Sequence, residues 1–140
     1  MIDNFRDEYL FLSNFYATEI CLLGLTYKNA EAAFQAQKTL DPFLRKQFCG
    51  LDPSAAKAIG RTLPLRSDWE DVKVDIMKSV LEIKFSNPFL EKELMKTKQE
   101  ILVEGNNWGD TFWGVCGGKG KNMLGKLLME IREKKEQKHR

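Results

Sequence analysis

"SDWEDVKVDIMKSVLEIKF", residues 67–85, sets the class of the fold. Ser67 and Glu70 stand in capping-box spacing at its start, where a hydroxyl and a carboxylate satisfy backbone amides that a helix start leaves bare. From there Trp69, Val72, Ile76, Val80 and Ile83 recur on one face, and Met77 and Leu81 widen the stripe. Apolar side chains at three- and four-residue spacing make an amphipathic helix packed on a core.

Other helix starts lie on both sides of it. Asp41-Pro42, Asp52-Pro53 and Asn87-Pro88 each put a capping side chain before a proline suited to the first helical position. Gly60 closes the short helix that begins at Pro53. A last helix is expected from Asn122 through Met123, Leu124, Leu127, Leu128 and Ile131. Strand signals are fewer. "EICLLGLTY" reads as a hairpin around Gly24, and "EILVE" (100–104) and "DTFWGVC" (110–116) as short strands. The fold class is therefore α+β, predominantly α-helical, with about six helices and a small sheet. No repeat or linker interrupts the chain, so residues 1–140 form one domain, with 132–140 as a frayed charged tail.

Composition narrows the chemistry. The chain is 43% hydrophobic and 30% charged, with a net charge of +2. The closing "REKKEQKHR" holds five basic and two acidic residues, so the body is close to neutral and offers no broad phosphate-tracking surface. No apolar run is long enough for a membrane span, and the start lacks the pattern of a secretory signal. Cys21, Cys49 and Cys116 are widely separated and read as buried reduced thiols in a cytoplasmic protein. The single histidine, His139, is next to last. A histidine-based triad and a His-rich zinc site are excluded, and no metal or cofactor is expected.

Three segments carry candidate chemistry. "NAEAAFQAQK" (29–38), wound as a helix, aligns Glu31, Gln35 and Lys38 along one stripe, with Ala32, Ala33, Ala36 and Leu40 opposite. Periodicity alone makes that stripe a solvated face. "FLSNFY" (11–16) surrounds Ser13 and Asn14 with aromatics. It is either a core-facing extended segment or the wall of a pocket for a flat heterocycle. "GNNWGDTFWGVCGGKGK" (105–121) holds six glycines and two tryptophans, and Asp110 sits between Trp108 and Trp113. Long irregular segments of this kind are often functional. Gly120, Gly125 and Lys126 satisfy the spacing of a P-loop, but Leu127 stands where a magnesium-binding hydroxyl is required, so a nucleotide triphosphatase is rejected. A glycine-rich turn feeding a helix at Asn122 remains, either as an anion receptor or as a plain tight turn.

In order along the chain, "LSNFY", "TYKNAEAAFQAQK", "PSAAKAIGR", "WEDVKVDIM", "KF", "LVE", "GDTFWG" and "GKNMLGKLLMEIR" resemble the NADAR superfamily of YbiA-like N-glycosidases, over residues 5 to 132. The resemblance implies a mostly helical fold and hydrolysis of a ribosyl C–N bond. The implied substrates are phosphoribosylamino-pyrimidine intermediates of riboflavin synthesis, or ADP-ribosylated guanine in DNA or RNA. It matches Ser13, Asn14 and Phe15 to a first motif, and Glu31, Phe34, Gln35 and Lys38 to an acidic-aromatic-glutamine-lysine helix. Gly60-Arg61 and Trp69, Asp110, Trp113, Gly114, Asn122 and Gly125 match later positions. Ala32-Ala33 depart from the His-Tyr often found there, which bears on substrate choice.

With that resemblance the 31–35–38 stripe becomes one wall of a pocket. Glu31, Lys38 and Asp110 are the catalytic candidates, the carboxylates for charge stabilisation or water activation and Lys38 as proton donor, phosphate ligand or amine nucleophile. Arg61 suits a phosphate. The alternative is a non-catalytic sensor of ADP-ribose or a related nucleotide, and a purely structural helical domain is the third reading.

Overall fold

The computed structural model describes residues 1–139 and contains six α-helices, two short 3-10 turns and two small two-stranded sheets. The predominantly helical α+β class holds. The chain resolves into two compact units, Asn14–Lys84 and a second made of Met1–Ser13 with Phe85–Arg140.

The Asn14–Lys84 unit opens with the hairpin. Strands β1 (Ala17–Leu22) and β2 (Leu25–Asn29) pair antiparallel through a two-residue turn at Leu23-Gly24. Both turn residues have positive φ, 50° and 83°, as the turn that matches the twist of paired strands requires. Next come α1 (Ala30–Ala36), α2 (Pro42–Gln47), α3 (Pro53–Gly60) and α4 (Trp69–Lys84). The capping side chains of Asp41 and Asp52 accept from the first-turn amides of α2 and α3, so the Asp-Pro signals hold. α1 packs against α3, α4 and both strands. Its four alanines are fully buried, and their small side chains permit that close approach.

Two local expectations need correction. α1 ends at Ala36, so Lys38 is carried by the following turn and Leu40 is exposed rather than on a buried face. In α4, Val72, Ile76 and Ile83 are only half-buried, and the covered stripe is Met77, Val80, Leu81 and Lys84. The helix is rotated toward the residues that had been assigned to widen the stripe, and its burial includes a lysine.

In the second unit a 3-10 turn at Asp7–Leu12 takes in the first two residues of "FLSNFY", and Ser13 after it is extended. Asp7–Leu12 packs against α5 (Pro88–Met95), which in turn packs against α6 (Met123–Lys138). "EILVE" contributes a single bridge, Leu102 to Ile2, rather than a strand. Of "DTFWGVC" only Val115–Cys116 (β4) is extended, pairing in parallel with Gly105–Asn106 (β3). Positive φ at Gly109, Gly117, Gly118 and Gly120 breaks the segment into turns on both sides.

The charged end is helical through Lys138. Arg132 is buried with its guanidinium on Thr97 Oγ1 at 2.9 Å, and Lys135 and His139 both reach Glu91. None of the three cysteines is fully buried: Cys21 is exposed, Cys49 and Cys116 are half-buried, and all are free thiols. Among the described residues no helix is long and apolar enough to cross a membrane.

Candidate functional site

α1 is fixed at both ends by buried amides. At its start Asn29 Oδ1 accepts from Ala32 N at 2.7 Å while Nδ2 donates to the Leu51 carbonyl. At its end Gln37 Nε2 donates to the Ala33 carbonyl at 3.1 Å. Arg66 then secures the turn beyond: its backbone N–H donates to the Lys38 carbonyl at 2.8 Å and its guanidinium reaches the Gln37 carbonyl. The side chains of Glu31, Gln35 and Lys38 therefore leave a rigid piece of backbone.

The stripe they form is not a wet face. Glu31 and Lys38 are half-buried and Gln35 is 7% exposed. Gln35 Nε2 donates to Glu31 Oε2 at 2.7 Å, a bond strengthened by the charge on the acceptor. Burial pushes the Lys38 ammonium below the ordinary lysine value, Glu31 pulls it back up, and Arg61 lowers it further. One carboxylate, one partly desolvated amine and one guanidinium thus act on each other within this unit.

Asn14 joins them through the backbone, since its carbonyl accepts from Glu31 N at 3.0 Å. Its side chain is 7% exposed, with Nδ2 directed at Met77 Sδ, 3.4 Å away, and Oδ1 accepting no hydrogen bond from any described residue. Phe15 is 37% exposed, and Lys57 Nζ lies 6.0 Å from its ring centroid. Phe34 and Trp69 are buried against each other with centroids 5.2 Å apart, so they form an apolar floor rather than an exposed stacking surface. Lys57 and Arg61 are four apart around the end of α3 and set two cations on the same side of that helix.

Of the expected site residues, Asn14, Phe15, Glu31, Phe34, Gln35, Lys38, Arg61 and Trp69 belong to this unit. Ser13, Asp110, Trp113, Gly114 and Asn122 belong to the other, and there most of the polar groups serve the backbone. Ser13 N–H closes the 3-10 turn on the Leu10 carbonyl. Asp110 Oδ1 accepts from Phe112 N at 3.1 Å and Trp113 N at 2.9 Å. In these bonds the aspartate shapes its own turn. Gly114 is tight against Glu104 and Asn106, where a Cβ would collide with both.

Asn122 is in the left-handed region at φ 52°. Its Oδ1 accepts from Glu104 N, and its Nδ2 donates to the Leu102 carbonyl, both at 2.9 Å. The anion-receptor reading of the turn before α6 also fails. Met123 N and Leu124 N, the first amides of the helix, donate to the Phe112 and Trp113 carbonyls, so they are not presented to a ligand.

Lys84 entered the sequence reading only within "KF" and was given no role there. It is fully buried, its Nζ lies 5.6 Å from the Tyr16 ring centroid, and burial pushes its ammonium down to about 7. The signal was its spacing, because 77, 80, 81 and 84 form one helical face.

Comparison with known proteins extends the likeness over both units. The sequence matches the NADAR domain family over residues 3–135. The N-glycosidase YbiA of Escherichia coli is 42% identical over 132 residues, which cover 91% of this chain and 82% of that protein. A riboflavin biosynthesis protein of Vibrio vulnificus is 35% identical over 128 residues, 88% of this chain and 35% of that protein. The NMR structure of E. coli YbiA superposes with a TM-score of 0.84 at 38% identity, covering 99% of this chain and 89% of that one. With the fold and nearly the whole length in agreement, this chain belongs to the NADAR family.

Proposed function

We propose that this protein is an N-glycosidase that hydrolyses the C–N bond between a ribose and a base, with Glu31 as its principal catalytic group. The observation that carries the reading is the half-buried Glu31 carboxylate, held at 2.7 Å by the buried Gln35 amide and electrostatically coupled to the partly desolvated Lys38. Breaking a ribosyl C–N bond builds positive charge on C1′ and the ring oxygen, and a preoriented carboxylate stabilises that charge or activates the attacking water. Lys38, its ammonium weakened by burial, hands a proton to the departing base or, as a neutral amine, attacks the opened sugar.

Lys57 and Arg61 suit a phosphate on the substrate, and the ring of Phe15 suits a base. Phosphate-bearing ribosides are therefore the favoured class. Relatives named N-glycosidase and riboflavin biosynthesis protein support phosphoribosylamino-pyrimidines as the first compounds to test, and ADP-ribosylated guanine in DNA as the second.

The test is incubation with a panel containing both, each also as its 2′-deoxy or dephosphorylated form, followed by mass spectrometry of free base and sugar. Release of base from a phosphorylated riboside is the expected result. Binding without release would replace the enzyme by a nucleotide sensor. Borohydride added during turnover distinguishes the two roles of Lys38, because only an imine is trapped as a covalent adduct.

A further inference from the structure

Gly60 ends α3 without any backbone reason to be glycine. Its φ is not in the left-handed region, and alanine is the better helix former. The reason lies on α1. A Cβ at position 60 would fall on Oε1 and Cδ of Gln35, the side chain whose Nε2 holds Glu31. Gln35 Oε1, buried, accepts no hydrogen bond from any described residue and faces the backbone carbon of Gly60 instead. A weak Cα–H···O contact is what that placement offers. The amide cannot gain by turning over, because its oxygen would then meet the Glu31 carboxylate.

We infer that Gly60 is a positioning residue for Glu31, acting through Gln35: the missing side chain leaves the space in which the Gln35 carboxamide must lie to orient the Glu31 carboxylate. The inference rests on the catalytic role proposed for Glu31. Arg61 is the next residue, so the same close approach of α3 to α1 also brings its guanidinium within electrostatic reach of Lys38.

The test compares Gly60→Ala, Gln35→Ala and the double variant. Three quantities are read: melting temperature, kcat and KM on whichever panel compound the unmodified protein cleaves, and the NMR resonances of the Gln35 side-chain amide without ligand. The severe overlap falls on the far end of a flexible side chain and the Gln35 Cβ, at 3.1 Å, needs to give by only a few tenths of an ångström, so Gly60→Ala should melt within about 3 °C of the parent. Its kcat should fall roughly 10- to 100-fold, because a small misplacement of a catalytic group is costly, with KM changing far less. The Gln35 amide resonances should shift. In the double variant kcat should match Gln35→Ala alone, since no carboxamide remains to be displaced. If Gly60→Ala does not fold but the double variant does, the clash with Gln35 is again the cause.

Unchanged Gln35 resonances, losses that multiply in the double variant, or failure of both Gly60→Ala and the double to fold would overturn the inference. If the unmodified protein cleaves no panel compound, the proposed function fails, and the amide resonances still decide whether Gly60 sets Gln35.

Discussion

Residues 29–38 and 104–122 both set acids beside side-chain amides, and they use them in opposite ways. In 104–122 most hydrogen bonds end on the local backbone, although Asn106 Nδ2 also donates to Glu104 Oε2 at 3.1 Å. Asn106 donates to the Asp110 carbonyl and accepts from Trp108 N and Asp110 N, Asp110 accepts from Phe112 N and Trp113 N, and Asn122 ties Leu102 to Glu104. In 29–38 that backbone work falls to Asn29 and Gln37 at the two ends. Between them Gln35 bonds side chain to side chain with Glu31, while Gln35 Oε1 and the nearby Asn14 Oδ1 accept nothing among the described residues. Polar side chains whose bonds end on backbone build a scaffold. Those that leave a buried acceptor open carry a cost that a structural role does not require. Composition is nearly the same in both places and each holds an amide–carboxylate pair, so the open buried acceptors Gln35 Oε1 and Asn14 Oδ1 are what separate them.

The largest expected effect comes from removing the charge at the first region. Glu31→Gln keeps size and shape, so the fold and melting temperature stay close to the parent while kcat falls around 10²–10³-fold, the usual loss for one preoriented electrostatic group. Turnover within a factor of about two of the parent would erase the contrast between the regions. The second region should give the reverse pattern. Asn122→Ala strands Glu104 N–H and the Leu102 carbonyl and places a side chain poorly suited to φ 52°. One buried and one part-buried hydrogen bond and the strain together cost about 2–4 kcal/mol, seen as a melting drop of roughly 10 °C, while turnover per folded molecule is retained.

A smaller effect tests the hidden lysine of the first unit. The Lys84 ammonium, ordinarily near 10.5, is pushed down to about 7 by burial. Between those values the unfolded chain binds more protons than the folded one, so stability rises with pH across the window. The cost of the buried charge is fully present below about pH 7 and is relieved toward pH 10. Lys84→Met fills much the same volume without a charge. It should stabilise the protein by about 1–3 kcal/mol at pH 6 and flatten the rise of melting temperature between pH 7 and 10. Urea unfolding at pH 6, 8 and 10 reads this directly. A variant that keeps the slope would assign it to another group.

Helix starts were the most legible part of the fold. Asp41, Asp52 and Asn87 carry their own caps next to prolines, and that signal is local. Strands were less so, because "EILVE" and "DTFWGVC" have strand composition, while pairing depends on partners distant in sequence, Ile2 for one and Gly105 for the other. The rotation of α4 was missed for the same kind of reason. Val72, Ile76 and Ile83 are as apolar as the residues that are covered, and only packing decides between two adjacent faces. In the site, the spacing of Glu31, Gln35 and Lys38 was visible as a stripe, but burial was not. Gly60 was visible as a helix end, whereas its relation to Gln35 exists only once α3 lies on α1.

The smallest expected effect concerns Asp110, whose composition most strongly suggests catalysis. It lies between two tryptophans in a glycine-rich segment, yet Oδ1 is engaged by Phe112 N and Trp113 N. Asp110→Ala removes that acceptor. The site is half-exposed, so water replaces part of the loss and the cost is about 1 kcal/mol, with a melting drop of a few degrees. Asp110→Asn is the more discriminating change, because it retains an oxygen for both amides and removes only the charge. For a turn-former, Asp110→Asn melts and turns over like the parent and Asp110→Ala loses stability alone. For a catalytic carboxylate, both variants lose turnover by a similar large factor, and Asp110→Asn does so at an unchanged melting temperature. The backbone destinations of its hydrogen bonds predict the first pattern, and the second would show that an aspartate can shape its own turn and still do chemistry from it.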